Sequence, residues 1–162
     1  MIVISDTTPI LSLIKIDRLK ILEELYKKII IPKAVYDELI INIDYQDEID
    51  IIKRCTFIQI ENVEENLSVV LLQRELKLDR GESEAIVLAK NINADLIIID
   101  ERKARRIAKD VGLKVTGTLG ILVEAKQQGL IKELKSLLDE LMDNNIRISR
   151  KLYMEILNLV EE

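Results

Sequence analysis

The chain has 162 residues, with 24 Lys and Arg against 29 Asp and Glu for a formal net charge of −5, and it contains one Cys, two Pro and no His. Without His there is no imidazole general base, no Ser–His–Asp triad and no His-ligated zinc, and Cys55 alone makes neither a disulfide nor a thiolate cluster. Any metal must therefore be held by oxygen. Apolar residues at 48% and charged residues at 33% fit a packed globule rather than a disordered chain, and the length fits one domain over residues 1–162. The opening MIVISDTTP has only a short apolar run and no basic flank, and no segment approaches the ~18 uncharged apolar residues of a membrane span. A cytoplasmic protein with no membrane contact is expected. The acidic balance argues against non-specific nucleic-acid binding unless a local basic patch overrides it.

In chain order, IVIS at 2–5, III at 29–31, FIQI at 57–60 and LIII at 96–99 are short runs of branched apolar residues bounded by polar or proline signals. They read as strands, the first and fourth buried on both faces. Helical period marks TTPILSLIKI, RLKILEELYKK, PKAVYDELI, ENLSVVLLQREL and RGESEAIVLAKNIN between them. After the fourth strand, ERKARRIAKDVG is a basic helix closed by Gly112, and KVTG at 114–117 is a short fifth strand. The helical stretches TLGILVEAKQQG, LIKELKSLLDELMD and SRKLYMEILNLVEE follow, so residues 130–162 form a helical extension of the same domain. Its stripe of Ile131, Leu134, Leu137, Leu138, Leu141 and Met142 packs on the core or, as the alternative, makes a homodimer contact. The alternation predicts an α/β protein: a three-layer α/β/α sandwich around a parallel sheet of four to five strands, with extra C-terminal helices.

In an open parallel sheet the ligand site lies beyond the carboxyl ends of the strands. Asp6 and Asp100 each follow a buried strand at such an end. Capping is the competing role for both. Thr8 with Pro9 already has the look of a helix start, which leaves Asp6 free, whereas Asp100 is placed to cap the basic helix after it. Glu38 borders the apolar face of its helix, a costly place for a carboxylate unless it is paired with a Lys or binds metal. Glu82 opens an alanine-bearing helix, and Asp79 three residues before it makes the pattern of a capping box. That role is compatible with metal duty at the same helix end.

The ordered set Asp6, Glu38, Glu82 and Asp100 resembles the acidic quartet of PIN-domain nucleases. ISDTTPILSLIKI, IPKAVYDEL, GESEAIVLAK, IIIDERKARRIA and GLKVTGTLGILVEAKQQGLI are similar to a PIN-like subgroup related to the toxins of VapBC-type toxin–antitoxin pairs, over nearly the whole chain. The resemblance implies a metal-dependent endoribonuclease using Mg²⁺ or Mn²⁺, with RNA as substrate and an antitoxin protein as partner. It makes Asp6 and Asp100 direct ligands, and has Glu38 and Glu82 bind metal or orient its waters. Glu101, beside Asp100, and Thr7, beside Asp6, are accessory candidates. Arg102, Lys103 and Arg106 of the basic helix are candidate phosphate contacts, their competing role being a solvated helix face. Hard cations with an oxygen preference are what would relieve the mutual repulsion of four carboxylates.

Two positions depart from the family's pattern. Ile98 stands two places before Asp100, where many PIN domains carry a hydroxyl residue, and the third acid is Glu82 rather than Asp. The alternative reading is therefore a catalytically silent PIN-like module that binds protein or RNA. A phosphotransfer protein also places Asp at a strand end, but a dehalogenase-type phosphatase needs a second Asp where Thr8 stands, and a receiver needs paired acids near the N-terminus. The five aromatics, Tyr26, Tyr36, Tyr45, Phe57 and Tyr153, are scattered and form no base-stacking platform.

Overall fold

The computed structural model describes residues 1–42 and 44–162. Five strands, β1 (Val3–Ser5), β2 (Ile29–Pro32), β3 (Ile58–Glu61), β4 (Leu96–Ile98) and β5 (Val115–Thr116), form an all-parallel sheet in the order β3-β2-β1-β4-β5. Parallel neighbours need crossovers, and helices supply them. Among the described residues these are α1 (Thr7–Lys15), α2 (Lys20–Tyr26), α3 (Lys33–Asn42), α4 (Gln46–Arg54), α5 (Leu67–Arg74), α6 (Arg80–Asn91), α7 (Arg102–Asp110), α8 (Thr118–Gln127), α9 (Leu134–Asp143) and α10 (Arg150–Leu159). The three-layer sandwich expected from the alternation is present.

The twofold alternation of side chains along a strand sorts the core into two halves. Val3, Ile29, Ile31, Leu96 and Ile98 point into the larger half, against Ile10 and Leu13 of α1, Leu22 of α2, Leu122 of α8 and Leu138 of α9. Ile4, Ile30, Ile97 and Ile99 point the other way, onto Ala85 and Ala89 of α6 and Ala104 and Ala108 of α7. Alanine at those positions keeps the side chains short where helix meets sheet. β1, β2 and β4 are buried throughout, which is why their sequences are apolar but for Ser5 at the end of β1. Of the C-terminal stripe, Ile131, Leu134, Leu137, Leu138 and Leu141 join the larger core half, while Met142 is 37% exposed.

Several boundaries differ from the expectation, each for a physical reason. α4 lies in a stretch where no element was expected: QDEIDIIKR is dominated by charge, and Ile52 is its one buried residue. α1 begins at Thr7, so Pro9 is its third residue and not its first. α9 begins at Leu134, four residues later than its hydrophobic period implies, because its N-terminus is held from a distance. Glu162 accepts the N–H groups of Leu134 at 2.7 Å and Lys135 at 3.0 Å and pairs with Lys126. The basic helix ends as expected: Gly112 adopts φ 88° and the Leu113 N–H returns to Ala108 O, a Schellman-type close that a residue with Cβ adopts only with strain.

Three connections at the carboxyl edge of the sheet are very short, whereas β3 reaches α5 through residues 62–66. Asp6 alone separates β1 from α1, nothing separates β2 from α3, and Gly117 alone separates β5 from α8. No helix among the described residues is long and apolar enough to cross a membrane.

Candidate functional site

Asp6 leaves β1 at this edge, its N–H donating to Ile98 O at 2.9 Å, so the ladder between β1 and β4 continues one residue past the strand. It stands at the N-cap of α1 without making the side-chain bond of a cap. The residue is 4% exposed, and Oδ1 is buried with no hydrogen-bond partner. Burial raises its pKa from 3.8 to about 8, the Thr7 backbone opposing and the charges of Asp79, Glu82 and Glu38 adding to the rise. A cation-free Asp6 is thus mostly protonated at neutral pH.

Glu38 links three helices. Its Oε2 accepts the Thr7 hydroxyl at 2.8 Å and its Oε1 accepts the Gly81 N–H at 3.2 Å. The Lys pairing considered for it belongs instead to Asp37, which Lys33 meets on the exposed face. Burial pushes the Glu38 carboxyl upward and Asp79 and Glu84 add to the push, against the two hydrogen bonds. Gly81 is glycine for space, since a Cβ there would stand 2.5 Å from Glu38 Oε1.

The capping box at α6 forms in full: the Glu82 N–H donates to Asp79 Oδ1 at 2.7 Å and the Asp79 N–H to Glu82 Oε2 at 3.0 Å. Glu82 is also buried, and burial followed by the charges of Asp79, Glu101 and Glu38 raises its pKa. Of the two roles weighed for it, the cap is therefore present, on a carboxylate that burial keeps beside the other acids. Glu84 is buried as well and takes Arg80 Nε at 2.7 Å.

Asp100 does not cap the helix after it. Glu101 does, accepting the Ala104 N–H at 2.7 Å, which gives this accessory candidate a structural task. Asp100 reaches instead to the start of α8, where Oδ1 accepts the Thr118 N–H at 2.7 Å and Oδ2 the Thr118 hydroxyl at 2.6 Å. On α7, Arg102 and Arg106 are exposed and Lys103 is half-buried. With Arg105 and Lys109 they line a shallow cavity of 670 Å³. Arg105 is committed to the fold, donating from Nη1 to Ile99 O at 2.8 Å.

Asp6, Glu38 and Glu82 are thus close enough to shift one another's proton affinities, and Asp100 ends the neighbouring strand with its carboxylate turned to Thr118. Among the described residues, no three His, Cys, Asp or Glu side chains stand as a ready-made metal cage. The donor chemistry nonetheless fits a hard divalent cation: every ligand atom on offer is oxygen, and Asp6 Oδ1 lacks any partner inside a ring of like charge. Reading the sequence alone missed Asp79 as a charge acting on Asp6, Gly81 as the donor to Glu38, and Thr118 with Gly117 as the seat of Asp100. The signal was a glycine directly before Glu82, and the small-residue run around Thr118.

A family profile described as a PIN domain matches residues 2–162 of the chain. No curated protein sequence gives a significant match. With its five-stranded parallel sheet and acidic carboxyl edge, the chain belongs to the PIN-domain family, whose fold is of nuclease type.

Proposed function

We propose that this protein is a divalent-cation-dependent endoribonuclease whose site is Asp6, Glu38, Glu82 and Asp100. The observation that carries the proposal is the unpartnered Oδ1 of Asp6, buried at a strand end and surrounded by the charges of Asp79, Glu82 and Glu38. A buried carboxylate oxygen in that position is costly unless something positive arrives.

Asp6 and Asp100 would hold the cation, with Glu38 and Glu82 joining them or orienting its waters. A bound Mg²⁺ or Mn²⁺ supplies a water of lowered pKa and charge neutralisation at the phosphodiester. The chain's own residues do the rest. Asp6 would hold the cation as its carboxylate, without the proton it carries in the cation-free chain. The Thr7 hydroxyl and Gly81 N–H fix the Glu38 carboxylate, and the capping box fixes Glu82, so neither has to be ordered during the reaction. Burial and neighbouring acids lift the proton affinities of Glu38 and Glu82, which makes them better acceptors for a proton from the attacking water. Arg102, Lys103 and Arg106 hold the substrate strand through its phosphates.

The test is cleavage of single-stranded and structured RNA in Mg²⁺ or Mn²⁺, beside an Asp6→Asn chain. Cleavage by the wild type alone supports the proposal; cleavage that survives Asp6→Asn, or none with either metal, refutes it. One observation favours a second reading, a catalytically silent module. Both oxygens of Asp100 already have partners and, among the described residues, no three acids stand together as a cage. Binding of RNA without cleavage selects that reading. We extend the proposal to a toxin restrained by a protein partner, the role implied by the subgroup whose motifs it resembles. Growth arrest on expressing the wild type but not Asp6→Asn tests it.

A further inference from the structure

We infer that Thr118 is a positioning residue for Asp100, and that the run from Thr116 to Gly120 exists to press it there. The inference rests on the nuclease reading and assigns a task to a residue outside the acidic set. Thr118 is 3% exposed and gives Asp100 both of its donors, the N–H to Oδ1 at 2.7 Å and the hydroxyl to Oδ2 at 2.6 Å. Two donors from one residue on the two oxygens of one carboxylate fix both its direction and its plane. Each oxygen still has one lone pair to offer a cation.

The neighbouring residues make the approach possible. Gly117 has extended backbone that any residue adopts, with φ −138° and ψ −174°, so glycine is there for space. A Cβ would stand 2.6 Å from Asp100 Oδ1 and 2.7 Å from Arg105 Nη1. At Gly120 a Cβ would run into the Thr116 hydroxyl. A Cβ at Gly117 would push the Asp100 carboxylate and the Arg105 guanidinium out of place, and one at Gly120 would push the Thr116 hydroxyl. Arg105, bonded to Ile99 O, closes the other side. Ile98, fully buried in the sheet, offers Asp100 no hydroxyl from its own strand. The ordering of Asp100 therefore comes across the sheet edge, from the β5–α8 turn.

Outer partners that orient a metal-binding carboxylate are worth about 10- to 100-fold in metal affinity. The experiment measures Mn²⁺ binding by full-length wild type, Thr118→Ala and Thr118→Ser, from the paramagnetic resonance signal of free Mn²⁺, with kcat and KM on RNA in parallel. Thr118→Ala is expected to weaken Mn²⁺ binding at least ~10-fold and to lower kcat with KM unchanged, while Thr118→Ser, which keeps the hydroxyl, restores both. Wild-type affinity in Thr118→Ala overturns the inference and leaves the nuclease reading standing. So does a Thr118→Ser chain as impaired as Thr118→Ala, because the loss is then one of packing. A wild type that binds no Mn²⁺ overturns the nuclease reading and this inference with it. Should Thr118→Ala not fold, Gly117→Ala decides: it keeps the hydroxyl but crowds Asp100 Oδ1, and unchanged Mn²⁺ affinity in it overturns the inference.

Discussion

Replacing Asp6 by Asn should stabilise the cation-free protein, and by an amount that depends on pH. In the folded chain Asp6 has its pKa raised from 3.8 to about 8, whereas in the unfolded chain it ionises near the ordinary value. Between those limits the native state keeps a proton that the unfolded state has released. Stability from this group is therefore complete below the unfolded pKa and is lost as pH rises toward the folded one, with a slope of about 1.4 kcal/mol per pH unit. Integrated to pH 7, the penalty is on the order of 4 kcal/mol, a large share of the ~5–15 kcal/mol that holds a domain together. Asn carries no titrating proton, so Asp6→Asn escapes the penalty. Urea unfolding of both chains in EDTA at pH 4, 5.5, 7 and 8 measures it, and the difference between them cancels all other titrating groups. The advantage of Asp6→Asn should be under ~1 kcal/mol at pH 4 and widen to ~4 kcal/mol at pH 7. A difference that stays flat across that range refutes the argument that burial and like charge control this carboxyl. Millimolar Mn²⁺ should then raise the stability of the wild type at pH 7 and leave Asp6→Asn unmoved.

Gly81→Ala should dissociate activity from stability. Gly81 is only the second residue of α6, where Ala gains less over Gly than in a helix interior, but its Cβ displaces Glu38, so kcat should fall ~10- to 100-fold while the thermal midpoint changes little. Glu162→Gln should cost ~1 kcal/mol in thermal unfolding by removing a charge from the N-terminus of α9. Burial pushes the Glu162 carboxyl up, yet the N–H groups of Leu134 and Lys135 and the Lys126 ammonium hold it below its ordinary value. Its contribution is therefore present above the unfolded pKa and is lost as pH falls, so the gap between the two chains should close in acid. Arg102→Gln and Arg106→Gln should each reduce the slope of log K against log salt for single-stranded RNA by about 0.7, measured by fluorescence anisotropy. An unchanged slope places the strand elsewhere.

The strands were legible because β1, β2 and β4 are buried on both faces and are apolar but for Ser5, so burial writes itself into local composition. α4 was not: Ile52 alone is buried, and charges fill the remaining turns. The start of α9 was misplaced because its cap comes from Glu162, 28 residues beyond Leu134. The same distinction runs through the site. The capping box of Asp79 and Glu82 spans three residues and could be read directly. The bond from Thr7 to Glu38 crosses 31 residues, and that from Thr118 to Asp100 crosses 18. Local rules of pattern carry no information about such pairs, so neither the partner of Asp100 nor the reason for Gly117 is written in the residues around them.

The brevity of the β1–α1, β2–α3 and β5–α8 connections sets which insertions and deletions the fold can absorb. On the opposite edge, α2 reaches β2 through residues 27–28, α4 reaches β3 through 55–57, α6 reaches β4 through 92–95 and α7 reaches β5 through 111–114. An added residue in those turns displaces only a surface loop. Between β2 and α3 there is no turn to lengthen. One residue added there propagates along α3 as a rotation of about 100°, carrying Glu38 off the Thr7 hydroxyl and the Gly81 N–H while the sheet itself is untouched. Length variation among related chains should accordingly be purged from the β1–α1, β2–α3 and β5–α8 junctions and collect in the opposite turns and in residues 62–66 between β3 and α5.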